Sequence, residues 1–471
     1  MKNIAFLVSA NKTIIFEEVA KKLEDDDCFA YWVTPSRYWY KWLLNKGIPS
    51  DRILNLPEKV GVLNGRDLSN NEIERISYIE NAAKVSFSDM FFMDRILREK
   101  SYHYSYRCML AHYDEISSFL INNKIISVFS EQTWNFEIMT TLACNIIGIE
   151  SYNVDGVKVP DGEENGRFGF FPGYKKTNIS MTNIPVKNDF DFAEKYLKEY
   201  RKLKEGTSYI KAHVYKPSFK IDWPKKLIQH IIYAYTDRYD LTRRPLYSLI
   251  RLRLKQLVNY MIISFNNPFQ SIESISGKFI LVALHKQPDS GLDVVSSEFV
   301  NQFEAIKAFV RKMPAEYQIV IKDHSHALGL TSLSAYNNYK NIPSVVLVNP
   351  KVDSFTLIEN AALVVTICGS MSLESALMGK RSLTFSENSF SEILIRKSVN
   401  PYDISSFELR KILSESPPDD EKLINYLAMI HANSYLGMPY DPTKSSIFRS
   451  EKNITNISNG FKSFLLDDSN G

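Results

Sequence analysis

The sequence has no apolar run long enough to cross a membrane as a helix, which takes about 18 residues or more. The nearest candidate, Leu257 to Phe265, is much shorter. The stretch from Met1 to Lys12 has an apolar run of only strand length, so we interpret it as a first buried β-strand and not as a signal peptide. We therefore expect a cytoplasmic protein, either free or attached to the inner face of a membrane.

Cysteine is also scarce, with four residues in a chain of 471. They are far apart, have no CxxC or Cys/His spacing and lie in apolar surroundings; they are Cys28, Cys108, Cys144 and Cys368. This distribution excludes a disulfide framework and a zinc site and suits a reducing compartment. An apolar content of 44% and a net charge of +3 are ordinary for a globular protein of two or three domains.

No Asp-x-Asp pair follows a predicted strand, so the sequence offers no obvious site for a catalytic metal. The one acidic run, Glu24 to Asp27, falls between a predicted helix and a predicted strand and is interpreted as a solvated turn. We expect neither a metal nor a bound cofactor.

Strand and helix patterns alternate through the first 175 residues and again from Gly277 to about Glu387. Repeated alternation of this kind predicts α/β domains with mostly parallel sheets and helices on both faces. We predict an N-terminal Rossmann-like domain over 1–185, a helical insertion over 186–270, a C-terminal Rossmann-like domain over 271–390 and further helices over 391–471. The pattern at Ile457 to Leu466 indicates a last helix.

Three further helices are part of this prediction. The patterns indicate one helix over Asp89 to Phe119, one over Ser296 to Lys312 and one over Glu392 to Lys397.

The insertion is strongly basic between Gly206 and Phe265, where eleven Lys and Arg face three Asp, a net charge of +8. Basic residues interleaved with Trp, Tyr and Leu are typical of a helix that lies on an anionic membrane surface. The alternative, which we favour on the sequence alone, is a solvated helical insertion packed at the domain junction. We expect no nucleic-acid binding, because no recognition motif accompanies the charge.

Three polar clusters follow strands of the second domain: Leu284 to Asp289, Lys322 to Ser325, and Cys368 to Glu374. The carboxyl ends of parallel strands form the edge at which open α/β sheets bind ligands. In the third cluster, glycine and hydroxyl groups stand where a helix begins, which predicts a phosphate cradle. An ordinary strand-Gly-helix turn would have the same residues.

The order of these clusters resembles the capsule polysaccharide biosynthesis family, which includes bacterial β-Kdo transferases of GT-B architecture that use CMP-Kdo. The resemblance extends to Phe129 to Glu137, Pro160-Asp161 and Arg167 to Phe171. Asp289 stands where the family usually has Glu, and Gly369-Ser370 with Glu374 replaces Gly-Thr-x-x-x-Glu. Asp323-His324-Ser325 replaces Glu-His-Pro, and the serine loses the fixed φ of proline.

The resemblance implies a GT-B-like fold, with two Rossmann-like domains facing across a cleft, the nucleotide-sugar on the second and the acceptor on the first. By the same analogy, the helix at Ile457 to Leu466 is expected to cross back to the first domain. It implies a glycosyltransferase of surface polysaccharide biosynthesis that transfers Kdo from CMP-Kdo to a glycan acceptor, which we expect to be lipid-linked. Two other classes stay open: a nucleotide-sugar epimerase of the same architecture, and a non-catalytic relative.

Candidate roles follow for named residues. Asp289 is the candidate nucleophile, and Glu131 is the candidate acid/base or acceptor-positioning group; each could instead be an ordinary turn or loop residue. The candidate phosphate and nucleotide ligands are His324, Lys322, Gly369, Ser370, Ser372 and Glu374. An imidazolium at His324 would neutralise the departing charge. The candidate sugar or acceptor ligands are His285, Gln287 and Arg167.

Overall fold

The computed structural model describes residues 2–60, 63, 66–159, 166–204, 228, 231–233, 235–237 and 239–467. Its strands form two separate sheets. Pro160 and Asp161 of the family resemblance lie outside the described residues, as do Arg238 and the five lysines of the basic insertion between Gly206 and Lys226.

The first sheet lies mainly in the amino-terminal part of the chain. Its first six strands are β1 Lys2–Leu7, β2 Cys28–Thr34, β3 Ile53–Asn55, β4 Ser127–Ser130, β5 Glu150–Gly156 and β6 Arg167–Pro172. Strands β5, β4, β1, β2 and β3 are parallel neighbours in that order, and β6 pairs with β5 in the antiparallel sense.

The second sheet is entirely parallel, in the order β11-β10-β7-β8-β9. Its strands are β7 Lys278–Ala283, β8 Tyr317–Lys322, β9 Val345–Val348, β10 Leu363–Thr366 and β11 Ser382–Thr384. A last short strand, β12 Tyr435–Leu436, returns to the first sheet and pairs with β6. The two sheets, one mostly and one entirely parallel, confirm the predicted α/β class with two Rossmann-like domains.

Helices connect these strands on both faces. Those before β7 are α1 Thr13–Glu24, α2 Arg37–Asn45, α3 Leu56–Val60, α4 Asn70–Ala83, α5 Phe87–Met93, α6 Tyr102–Asn122, α7 Asn135–Ile147, α8 Lys187–Leu203 and α9 Leu246–Phe265. Those after it are α10 Gln302–Val310, α11 Leu333–Lys340, α12 Ser354–Asn360, α13 Ser370–Leu377, α14 Ser406–Ser414, α15 Asp420–Ala432 and α16 Glu451–Asp467.

These three helix predictions were wrong in their extent. The helix expected over Asp89 to Phe119 is interrupted after α5, because Asp94 is extended and its carboxylate accepts from the amides of Ile96 and Leu97. The second, expected from Ser296, begins only at Gln302, where Asn301 caps it. The third is a short 3₁₀ turn, Ser391–Ile393.

Aromatic side chains join the carboxyl-terminal helix to the first sheet. Phe461 of α16 lies 4.9 Å from Phe129 of β4, and Phe464 stacks on Phe170 of β6 at 4.0 Å between ring centroids. Burial of rings of this size contributes a few kcal/mol each, at about 25 cal/mol per Å². The end of the chain thus completes the core of the amino-terminal sheet.

Helices α8 and α9, which lie between β6 and β7 in the sequence, pack on the second domain. On α8, Tyr200 meets Phe355 and Arg201 donates to the Leu377 carbonyl at 2.8 Å. On α9, Asn259 donates to the Gly329 carbonyl, and Ile263 joins the core of the second sheet. None of the helices in the described part of the chain is long and apolar enough to span a bilayer.

Candidate functional site

The first and third clusters meet at the carboxyl edge of the second sheet, because β7 and β10 are neighbours. The Cys368 amide donates to Nε2 of His285 at 3.2 Å, and the Cys368 thiol donates to the Gly291 carbonyl at 3.3 Å. The Gly291 amide in turn donates to Oδ2 of Asp289 at 3.0 Å. One bonded chain therefore connects the loop that carries Asp289 with the start of α13.

The protonation of His285 follows from these contacts. A 3.8 Å contact also joins Cys368 Sγ to Nε2 of His285, and a proton on that nitrogen would favour a thiolate. Although burial opposes both shifts, the contact with Cys368 raises the pKa of His285 and the contact with His285 lowers the pKa of Cys368. The shorter amide contact, however, already uses the Nε2 lone pair, and the thiol donates to the Gly291 carbonyl, so we assign a neutral imidazole with its proton on Nδ1 and a neutral thiol.

Glutamine side chains hold the first cluster in place. Gln302 accepts from the His285 amide at 2.7 Å and donates to the His285 carbonyl at 2.9 Å. It also donates to Gln287 Oε1, while Gln287 Nε2 donates to the Val300 carbonyl at 2.7 Å. His285 and Gln287 therefore position the loop, and their direct contact with a sugar stays a prediction.

The second cluster presents a neutral histidine. The His326 amide donates to His324 Nδ1 at 3.0 Å, so the ring proton lies on Nε2. Burial, with the charges of His326 and Lys322, lowers the pKa of His324 to about 4. The expected imidazolium is thus corrected to a neutral imidazole that can donate from Nε2.

Asp323 fixes the turn that presents His324. Its Oδ1 accepts from the His324 amide at 2.7 Å, and its Oδ2 accepts from Tyr336 at 2.7 Å and Thr331 at 2.8 Å. These bonds hold the turn in the absence of the proline that the related motif carries.

The third cluster offers fewer ligands than the sequence predicts. The Gly369 amide donates to Thr366 Oγ1 at 2.9 Å. The buried hydroxyl of Ser372 contacts Thr366 Oγ1 and donates to the Leu383 carbonyl at 3.0 Å. Since both groups are used inside the fold, the predicted phosphate roles of the Gly369 amide and Ser372 are corrected to structural ones.

The groups of the third cluster that are still able to bind an anion lie at the beginning of α13. The amides of Ser370 and Met371 are its first two, and such amides have no partner within a helix. Together with the Ser370 hydroxyl, they are the groups of this cluster that can meet an anion.

Glu374 is only 8% exposed and lies between two lysines. Burial raises the pKa of Glu374 to about 7 against the opposing charges of Lys158 and Lys322. Ser370 donates to the ionised carboxylate, whereas the protonated form can donate to the Ser370 oxygen and so leave the hydroxyl hydrogen for an anion. Lys322, buried at the end of β8, donates to the Pro350 carbonyl at 3.1 Å. At neutral pH, Glu374 can therefore act as donor or acceptor; whether it binds a ribose hydroxyl stays a prediction.

Lys158 was missed by the sequence reasoning. It follows β5 of the first domain, yet its Nζ lies 5.3 Å from the ring centroid of Phe390 in the second. No motif marks this lysine, and β5 itself was not predicted. Only its position two residues before the Pro160-Asp161 of the family resemblance could have drawn attention to it.

Glu131 lies at the carboxyl edge of the first sheet, 41% exposed. Its Oε2 is 3.8 Å from Nζ of the buried Lys12, which donates to the Val154 carbonyl at 2.7 Å. Nearby, burial raises the pKa of Glu137 to about 8, and its carboxyl group accepts from Ser9 at 2.9 Å. The edge thus carries a half-exposed and a buried carboxyl group, and the sequence reasoning missed the second.

Arg167 has a structural role. Its Nε donates to Ser434 Oγ at 2.9 Å and its Nη2 donates to the His431 carbonyl at 3.0 Å. The predicted turn arginine is the first residue of β6 and ties this strand to the segment before β12. These bonds give Arg167 a structural role, and its contact with a sugar or acceptor stays a prediction.

A cavity of about 400 Å³ opens beside the first two clusters, lined by His285, Gln287, Asp323, Thr331 and Lys255 among others. A larger cavity of about 710 Å³, lined by Tyr317 and Ser344, lies at the amino ends of β8 and β9. We assign ligand binding to the former edge, because the polar clusters are there.

No protein-family model and no curated protein matches the chain. Similar solved structures include UDP-GlcNAc 2-epimerase of Methanocaldococcus jannaschii, 14% identical over 92% of this chain and 99% of that one, with a TM-score of 0.27. KpsC β-Kdo 2,4 transferase of Thermosulfurimonas dismutans is 11% identical over 66% and 82%, with a TM-score of 0.36. MurG of Acinetobacter baumannii is 10% identical over 92% and 96%, with a TM-score of 0.28. Likeness at this level carries no weight for function.

Proposed function

We propose that this protein is a glycosyltransferase of surface polysaccharide biosynthesis that takes its sugar from a nucleotide-sugar donor. The observation that carries the proposal is the bonded chain from Asp289 through Gly291 and Cys368 to His285, which joins a carboxylate to the start of α13 at the ligand edge of the second sheet. Transfer needs these two elements together: donors for a departing phosphate and a carboxylate near the anomeric carbon.

The proposed donor is CMP-Kdo. Its phosphate would lie against the Ser370 and Met371 amides and the Ser370 hydroxyl, with Nε2–H of His324 as a further donor. These groups and nearby lysines would stabilise the leaving CMP, so no metal is assigned a role. The motif resemblance supports this choice of donor.

Asp289 is the proposed nucleophile. One carboxylate oxygen accepts from the Gly291 amide, which orients the exposed side chain. Attack by the other oxygen on the anomeric carbon would form a glycosyl ester as the bond to the CMP oxygen breaks. The acceptor hydroxyl would then displace Asp289 and lose its proton to Glu131.

The acceptor is proposed to be lipid-linked, with the enzyme on the cytoplasmic face of a membrane. Helix α9 buries Asn259 and Ile263 against the second domain and exposes Leu254, Met261 and Phe265, the last at 89%. Arg251 and Lys255 are exposed on the same helix. Basic residues near anionic lipid contribute about 1 kcal/mol each.

A nucleotide-sugar epimerase is the second candidate. Epimerisation needs acid and base groups with different proton affinities on the two sides of a sugar carbon. The first-domain edge offers two carboxyl groups in different environments: burial, together with the charge of Glu131, raises the pKa of Glu137 to about 8, whereas Glu131 itself is 41% exposed. This route needs no acceptor.

The deciding experiment is incubation of the protein with CMP-Kdo and with a panel of UDP-sugars, with and without a glycan acceptor. Acceptor-dependent CMP release supports the transferase. Conversion of a UDP-sugar without acceptor supports the epimerase, and nucleotide binding without turnover supports a non-catalytic relative.

A further inference from the structure

The segment after β5 leaves the first domain and docks on the second. Val159 is buried in an apolar cluster with Leu373 and Leu377 of α13 and with Phe390. This packing fixes the preceding residue, Lys158, beside the helix whose first turn carries Ser370. Lys158 itself is exposed.

The ammonium group of Lys158 is available to bind an anion. Its Nζ lies over the face of Phe390 at 5.3 Å, a contact worth about 0.5–1 kcal/mol at an exposed site. No carboxylate forms an ion pair with it among the residues that the structure describes. The charge of Lys158 acts on Glu374, and so does the charge of the buried Lys322.

We propose that Lys158 binds the phosphate of the nucleotide donor and so makes the first domain part of the donor site. This inference rests on the proposed function and adds to it a ligand from the opposite domain. A lysine ammonium binds phosphate as a point charge, and the amides at the start of α13 bind it through hydrogen bonds. A cation beside the leaving phosphate also stabilises the charge that develops there during transfer.

The test compares CMP with cytidine by titration calorimetry, using wild type, Lys158→Met, Lys158→Arg and a control, Lys198→Met. Lys198 is an exposed lysine on α8 with no part in the site. We expect Lys158→Met to weaken CMP binding about tenfold and to leave cytidine binding unchanged, because one charged contact to phosphate is lost. Lys158→Arg should keep most of the CMP affinity, and Lys198→Met should match wild type.

Equal CMP affinity in wild type and Lys158→Met would overturn the proposal, as would equal losses for CMP and cytidine. If wild type prefers UDP, the same contrast is measured with UDP and uridine. A wild type that binds nucleotide without any turnover defeats the proposed function but not the phosphate contact. A wild type that binds no nucleotide defeats both.

Discussion

Nε of Arg95 donates to Oδ2 of Asp293 at 2.7 Å, and this ion pair joins the two domains beside the candidate site. Arg95 belongs to the break between α5 and α6, and Asp293 is 2% exposed in the turn after Asp289. The Asp293 amide also donates to the Asp289 carbonyl at 2.8 Å. The loop of the proposed nucleophile is therefore anchored to the opposite domain.

Loss of this anchor should be costly. We expect Asp293→Ala to lower the free energy of unfolding by about 3 kcal/mol, because it leaves the Arg95 guanidinium without its buried partner. Arg98→Met is the matched control, since Arg98 is more exposed and lies 3.6 Å from the same carboxylate, so its loss should cost about 1 kcal/mol or less. Urea unfolding measures both, and equal effects would contradict the assigned role of the buried pair.

The revised phosphate site predicts a contrast between two serines of one helix. Ser370→Ala combined with His324→Ala should weaken CMP binding by about 2 kcal/mol, given non-additive losses of charge-assisted hydrogen bonds. Ser372→Ala should leave CMP affinity unchanged but lower the free energy of unfolding by about 1–3 kcal/mol, because Ser372 is bonded inside the fold. Calorimetry and urea unfolding separate the two effects. A CMP affinity that the double variant does not change would remove the proposed cradle.

The alternating strand and helix patterns were enough to predict the two domains, because buried parallel strands read as continuous apolar runs. Strand β6 and the short β12 were not predicted. Both depend on contacts distant in sequence, such as that of Arg167 with Ser434. The break between α5 and α6 depends on a hydrogen bond from the Ile96 amide to the Asp94 carboxylate, which hydrophobic periodicity does not reveal.

For the candidate site, the positions of the strand ends were enough to predict which loops lie together. They did not predict which polar atoms of those loops are free to bind a ligand. Gly369 and Ser372 have the residue types that a phosphate site needs. In the structure, however, the Gly369 amide and the Ser372 hydroxyl are both hydrogen-bonded to Oγ1 of Thr366, three residues before Gly369. Lys158 carries no local motif, and Glu137 lies in the Phe129 to Glu137 stretch without a role of its own there; both become candidates only through their neighbours, in the other domain or in the buried edge. Partner choice of this kind is a property of the packed structure.

Asp289→Asn tests the chemical step. The amide keeps the shape of the side chain and can still accept from the Gly291 amide, but it cannot act as a nucleophile. We expect transfer to fall to background while CMP affinity stays within about twofold of wild type. Glu131→Gln should instead slow transfer by about 10²-fold or more, as for a general base. Transfer that persists in Asp289→Asn would place the nucleophile elsewhere.

Glu374 should make stability depend on pH. Because burial raises its pKa from 4.5 to about 7, its stabilising contribution is complete below pH 4.5 and is lost as the pH rises through about 7. Relative to Glu374→Gln, wild type should therefore lose about 3 kcal/mol between pH 4.5 and pH 8. Urea unfolding across this range measures the difference, with the exposed Glu421→Gln as a control for charge loss. A constant difference between wild type and Glu374→Gln would contradict the shifted pKa.

The exposed face of α9 makes the membrane proposal testable. Met261→Glu with Phe265→Glu should abolish co-sedimentation with vesicles containing anionic phospholipid, because each change removes exposed apolar area and adds a repelling charge. Phe407→Glu on α14, also strongly exposed, is the matched control and should bind vesicles like wild type. Vesicle binding should weaken as the salt concentration is raised, because salt screens the attraction between the anionic lipid and the side chains of Arg251 and Lys255. Equal sedimentation of all three proteins, or none by wild type, would leave α9 as a helix that serves only to pack the second domain.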